Sequence, residues 1–313
     1  MRMGYGCVIE SRLPSGAQFE ITHGGQRAVI VEVGGGIRLY EAEGRPVLDP
    51  FPADAICDGA HGAPLIPWPN RLADGRYRFK GQDFQVALTE PEQGNAIHGF
   101  LRWQAWRADE LEPDRVVMSA RIHPCPGYPF EVDATVAYEL DEGGLTVTTR
   151  LENLGERECP VGHGQHPYLS AGDGLIDDCQ LQHPGRTRIL TDERQLPNGR
   201  EAVGETRFDF GEPARLGGLE IDFAFTDLVR DPEGRAWTRL TRPDGSTASL
   251  WVDEAYPFVE LYTGHTLSPG RARRGLGTEP MTCAPDGFNN QEGLIVLEPG
   301  ETTSGTWGAR IES

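Results

Sequence analysis

The chain has no apolar run approaching the ~18 residues that a membrane helix needs. Its first residues, "MRMGYGCVIESRLPSG", lack the apolar segment of a secretion signal. It has no Cys-x-x-Cys pair. Cys7, Cys57, Cys125, Cys159, Cys179 and Cys283 are scattered, which argues against a zinc ribbon or a thioredoxin motif. The even count permits disulfides, but without an export signal reduced thiols in a cytoplasmic protein are the expectation. Positive charge is scarce as well: 29 Lys and Arg stand against 48 Asp and Glu, for a net charge of -19 and a pI near 4.8. Such a surface repels phosphate backbones, so no nucleic acid and no membrane is expected as a partner. Amphipathic helical periodicity is nearly absent, with only short pieces around residues 184–195 able to form helix. The lack of a βαβ rhythm argues against a Rossmann sheet and an α/β barrel.

Strand signals are present throughout. In "FEVDATVAYEL", Phe130, Val132, Ala134, Val136, Tyr138 and Leu140 alternate with polar residues, the period of a half-buried strand. "DEGG" then supplies a turn and "LTVTTRLEN" resumes the alternation, which predicts a hairpin. "AVIVEVGGGIRLYEA", "RVVMSARIH", "ASLWVDE" and "FVELYTG" read similarly, and the tail "GLIVLEPGETTSGTWGARIE" offers two strands around the Pro299-Gly300 turn. Gly 40 and Pro 24 supply many turns, and 38% hydrophobic residues supply a core. The expectation is all-β, a large antiparallel β-sandwich forming a single domain over residues 1–313, with no repeat or linker.

Four stretches carry unusual chemistry. "GHGQHPYL" (162–169) places His163 and His166 three apart. Gly162, Gly164 and Pro167 disfavour a helix there, and in an extended chain an odd separation sends the two rings to opposite sides. Cys159, His163 and His166 would then not converge on a metal, so no metal is expected; one histidine faces the core and the other a cleft. "IPWPNRLADGRYRF" stiffens the backbone with Pro67 and Pro69 just before Asn70 and Arg71; the ordinary alternative is a loop with Arg71 solvated. "NAIHGFLRWQAW" sets His98 beside Gly99, a feature more often core than site. "GTEPMTCAPDGFNN" isolates Glu279 between Thr278 and Pro280, in a stretch too irregular for a strand. Imidazoles, carboxylates, a guanidinium and aromatics are the residue types that acid-base work on a sugar needs.

Five motifs, "NRLADGRYRFKGQDFQV", "NAIHGFLRWQAW", "GHGQHPYLS", "IDFAFTDL" and "TEPMTCAPDGFN", stand in the order and approximate spacing of the aldose 1-epimerase (galactose mutarotase) family. The chain resembles that family over nearly its whole length. The resemblance implies a galactose mutarotase-like supersandwich that needs no cofactor and acts on a small-molecule monosaccharide as a monomer or homodimer. It implies His166 as the acid that protonates the ring oxygen, Glu279 as the base at the C1 hydroxyl, and His98 as a second histidine steadying developing charge. Asn70, Arg71 and Asp222 would hold sugar hydroxyls, leaving His163 structural. Two departures concern the sugar: Leu169 and Ser170 replace the Phe and Asn common after the motif tyrosine, and Phe223 follows Asp222 where galactose-acting members commonly have His. Trp68, Trp103 and Trp106 are candidates for a face against the sugar's C–H surface, or for core.

The expected activity is interconversion of the α and β anomers of a free aldose. One alternative is a hexose-6-phosphate mutarotase, with "RARRG" (271–275) receiving the phosphate; as an ordinary feature this run is a solvated loop. A glycoside hydrolase would use Asp222 and Glu279 as its carboxylate pair and leave His166 without a role. A noncatalytic carbohydrate-binding protein would need neither acid nor base.

Overall fold

Alternation in the sequence becomes pairing in the computed structural model, which describes residues 13–312. Residues 1–12 of the N-terminal stretch considered above, Cys7 among them, fall outside this range. In the strand Val132–Asp141 the predicted apolar positions are buried and the intervening ones partly or fully exposed. The strand pairs antiparallel with Gly144–Asn153, and Asp141 opposite Gly144 closes the hairpin. Gly144 adopts φ +115°, a conformation glycine reaches without steric cost. The two tail strands form as Ile295–Leu297 and Thr302–Glu312, yet they do not pair with each other. The first pairs with Cys159–Val161 and the second lies between Gly144–Asn153 and Thr247–Val252.

Two large antiparallel sheets dominate, one of 12 strands and one of 9. Between them runs a core that includes Ile21, Ile30, Tyr40, Tyr138, Phe225 and Trp307. Gln165 ties the layers together: its amide donates to the Tyr138 hydroxyl at 3.1 Å and its carbonyl accepts the Trp307 Nε1–H at 3.1 Å. Among the described residues no helix is long and apolar enough to cross a membrane. Cys57, Cys125, Cys159, Cys179 and Cys283 are free thiols.

Residues 184–195 correct the sequence reading, because they hold the strand Gly185–Thr191 followed by a turn rather than helix. β-Branched Thr187, Ile189 and Thr191 at alternate positions suit a pleated surface. The helical pieces are instead Leu101–Trp103, Ile176–Asp178 and Gly287–Asn290, each a single turn.

Glu279 brings a second correction. It stands inside the strand Gly275–Met281, which is flanked by Phe258–Tyr262 and Tyr168–Ser170. Pro280 had argued against a strand. The Thr278 N–H donates to the Pro167 carbonyl and the Thr282 N–H to the His163 carbonyl, so in this alternating ladder residue 280 supplies the bond between them. Proline removes that one bond, and pairing with Phe258–Tyr262 holds the strand.

The register of these central strands assembles a site. Tyr168 faces Gly277 and Gly164 faces Met281, an unbroken register that sets His166 opposite Glu279. Glu279 faces Glu260 on its other side, and Asp222 faces Tyr262. Directly opposed residues, and residues two apart along a strand, share one face of a sheet. His166, Tyr168, Glu279, Glu260, Tyr262 and Asp222 therefore stand in two adjacent rows on the face turned away from Gln165.

Candidate active site

On that face lies a cavity of about 310 Å³ whose lining includes all six sequence-predicted site residues: Asn70, Arg71, His98, His166, Asp222 and Glu279. His163 is not among them. As strand parity requires, it points the other way into the core, where its ring meets the Tyr256 hydroxyl at 3.3 Å. Cys159, His163 and His166 accordingly do not converge.

His166 and Glu279 touch directly, with Nε2 3.0 Å from Oε1, and both side chains are almost wholly buried. The sheet register sets them side by side on one wall. Tyr168 stacks on the His166 ring at 4.9 Å and 13°. Its other face stacks on His61 at 3.8 Å and 5°, so the imidazole is held in a pile of three rings. His98 meets His166 edge-on, with centroids 5.3 Å apart.

His98 owes its place to a backbone exchange with Asn70. The His98 N–H donates to the Asn70 carbonyl at 2.9 Å, and the Asn70 N–H donates to His98 Nδ1 at 3.1 Å. Both residues have positive φ, near 62° and 55°. Because Nδ1 accepts, the neutral ring carries its proton on Nε2. Arg71 is fixed by a two-pronged pair with Glu90, at 2.9 and 3.1 Å. Asn95 in turn donates to Glu90 at 3.2 Å.

Burial governs the charges. It pushes His166 well below the ordinary imidazole range, helped by His61 and Arg102, and pushes His98 the same way, helped by His166 and Arg102. It pushes Glu279 well above the ordinary carboxyl range, with Glu260 and Asp222 adding repulsion and Arg71 opposing. Glu260 is raised likewise, by burial and then by Asp222. Both shifts favour the same state of the His166–Glu279 pair, one proton held between them: the imidazole resists a second and the carboxyl resists losing the first. Glu279 Oε2 and Glu260 Oε2 are buried with no hydrogen-bond partner among the described residues. Orphaned buried oxygens carry a cost that a ligand's hydroxyls would relieve.

Glu260 gives a stability prediction. A carboxyl whose folded-state pKa is raised contributes most below its unfolded value near 4.5, and that contribution is lost as pH rises through the folded value. Glu260→Gln, which cannot ionise, should therefore melt higher than wild type near pH 8, with the two converging near pH 4. Thermal melts at the two pH values measure this; a variant less stable at both contradicts the assignment of burial as the cause.

Donor atoms of His98, His166 and Glu279 lie within 4.8 Å of one another, close enough to gather on a cation. In this arrangement Nε2 and Oε1 are spent on each other, and a cation there would have to break that contact.

Several features were not read from the sequence. The aromatic walls are Tyr168 and Tyr262, whereas Trp68 and Trp106 are core and Trp103 lies outside this cavity with half its surface exposed. Glu260 was missed, although a lone carboxylate in the apolar "FVELY" was its signal. Two of the three arginines of "RARRG" also prove different from both readings offered above, while Arg274 is exposed. Arg271 binds Asp49 at 2.7 Å, Arg273 binds the Gly217 carbonyl at 2.7 Å, and neither lines the cavity.

The sequence pattern of the family described as aldose 1-epimerase matches residues 17–309. The chain belongs to the aldose 1-epimerase family. It is 32% identical over 290 residues to the uncharacterized protein YihR of Escherichia coli K12, covering 92% of this chain and 91% of that one. Human galactose mutarotase is 28% identical over 255 residues, covering 74% and 73%. Among solved structures, a putative aldose 1-epimerase from Escherichia coli K12 superposes with a TM-score of 0.81 at 24% identity, covering 95% of this chain and 99% of that one. The structure from Caenorhabditis elegans described as a GalM/aldose epimerase homologue gives 0.83 at 17%, covering 95% and 98%. These superpositions place the fold with the galactose mutarotase-like sandwiches, as the resemblance of the five motifs implied.

Proposed function

We propose that this aldose 1-epimerase family member interconverts the α and β anomers of an aldose whose C1 hydroxyl is free, with His166 and Glu279 moving the protons. The observation that carries the reading is the buried 3.0 Å contact between these two groups, which open onto a sugar-sized cavity. Opening a cyclic hemiacetal removes a proton from the C1 hydroxyl and delivers one to the ring oxygen. Both oxygens are bonded to the same carbon, so an acid and a base standing side by side can reach both.

Glu279 as carboxylate takes the C1 hydroxyl proton while protonated His166 gives its proton to the ring oxygen. The C1–O bond to the ring breaks, the C1 hydroxyl oxygen becomes the aldehyde, and the pair again holds one proton. Rotation about C1–C2 presents the other face, and the reverse transfers close the ring as the other anomer. His98, protonated on Nε2, donates toward the oxygen that gathers negative charge. Arg71 and Asp222 pair with ring hydroxyls, and Tyr168 and Tyr262 offer the carbon-rich face of the sugar an apolar wall.

Polarimetry on freshly dissolved aldoses tests this. The protein should accelerate the approach to the equilibrium rotation of at least one aldose, and should release no nitrophenol from aryl glycosides. Glycoside cleavage would favour a hydrolase built on Asp222 and Glu279. Binding without acceleration would favour a noncatalytic module. Two buried, strained ionisable groups in contact count against that last reading, since binding alone does not require them.

A further inference from the structure

We propose that Arg102 recognises a negatively charged substituent of the sugar, so that the preferred substrate is an anionic aldose rather than a neutral one; this rests on the mutarotase reading of the same cavity. Arg102 lines the cavity together with His98, His166 and Glu279. The other guanidinium in that lining, Arg71, is already neutralised by Glu90. Arg102 has no hydrogen-bond or ion-pair partner among the described residues, although acidic side chains outnumber basic ones 48 to 29. Its guanidinium carbon lies 5.2 Å from the Trp103 ring. Burial lowers its proton affinity, as expected of a cation short of a counter-charge.

The side chain stands on a rigid support. Its single turn is closed by the Gln104 N–H on the Leu101 carbonyl, which also accepts the Trp106 Nε1–H at 3.1 Å. A Cβ on Gly34 would lie 2.6 Å from the Arg102 carbonyl, so that backbone is wedged in place. Gly59 and Ala60 also line the cavity, and their N–H groups donate to no atom among the described residues. A guanidinium that no described residue pairs is a receptor for a carboxylate, phosphate or sulfonate. The net charge of -19 does not oppose this, because exposed charges are screened beyond about 8 Å at physiological salt, whereas a half-buried guanidinium acts at contact. The anionic group must sit on a carbon other than C1, which has to keep its free hydroxyl.

Four sugars of one configuration decide the matter: a hexose with an unmodified C6, and its C6 carboxylate, C6 phosphate and C6 sulfonate. Wild type should turn over at least one anionic form with a kcat/KM about 10- to 100-fold above the neutral form. Arg102→Gln should collapse that ratio toward one, and Arg102→Lys should keep part of it. The anion that gives the largest ratio identifies the substituent. Calorimetric binding of the same four sugars to Glu279→Gln separates this inference from the catalytic one. A retained binding preference supports Arg102 even if turnover is absent. Equal turnover and equal binding of all four sugars, or a ratio that survives Arg102→Gln, overturns the inference and leaves mutarotation standing.

Discussion

Glu279→Gln and His166→Ala should each slow anomer interconversion by about 10²- to 10⁴-fold, the usual contribution of a placed acid or base. The double variant should lose little more than either single one, because the two groups hold one proton between them and neither can act without the other. Glutamine keeps the size and hydrogen bonding of glutamate, so Glu279→Gln tests the proton and not the packing. The wild-type rate should follow a bell-shaped pH profile whose two limbs belong to the pair. Protonation of an imidazole held well below 6.5 sets the acid limb, and ionisation of a carboxyl held well above 4.5 sets the alkaline one. Anomer exchange followed by polarimetry or magnetisation transfer measures both the rates and the profile. Additive losses would show that the two act independently, and full activity in either single variant would remove the pair from the reaction.

Gly99→Ala should cost about 3–5 kcal/mol of folding stability, a loss at the extreme of single substitutions. Gly99 has φ +65°, and a Cβ there would overlap the Ile66 carbonyl and lie 2.7 Å from the Pro67 nitrogen. These are backbone atoms of the segment that Gly99 bridges, and the Phe100 N–H donates to the same Ile66 carbonyl at 2.8 Å, so nothing there can turn aside. Any protein that folds despite the change must move His98, one residue away, and lose its exchange with Asn70. Gly204→Ala is the control: its Cβ meets nothing within 4 Å, and it should shift stability by no more than about 0.5 kcal/mol. Urea denaturation compares the two, and equal midpoints for Gly99→Ala and wild type would contradict this account.

What could be read in advance followed from short-range rules. Period-two alternation placed Val132–Asp141 and its hairpin partner, and strand parity alone separated His163 from His166. The six predicted residues share one cavity, but their assembly depends on register between strands more than a hundred residues apart, which no local pattern contains. Glu279 was taken for an irregular stretch because Gly277 and Pro280 each weigh against a strand, while the sheet tolerates the single missing ladder bond. Tryptophans drew attention as sugar platforms, yet only depth in the fold assigns Trp68 and Trp106 to the core and the cavity's aromatic wall to Tyr168 and Tyr262. Arginines were judged by their spacing in "RARRG", whereas what distinguishes Arg102 is that no described residue pairs with it, visible only in three dimensions.

A crystal structure of Glu279→Gln soaked with the best-turned-over aldose examines most directly whether His166 and Glu279 act on one hemiacetal carbon. The account predicts the C1 hydroxyl within about 2.6–3.2 Å of the residue-279 side chain and the ring oxygen at the same distance from His166 Nε2. A sugar bound in this cavity with C1 turned away from both residues, or bound elsewhere on the molecule, would contradict it.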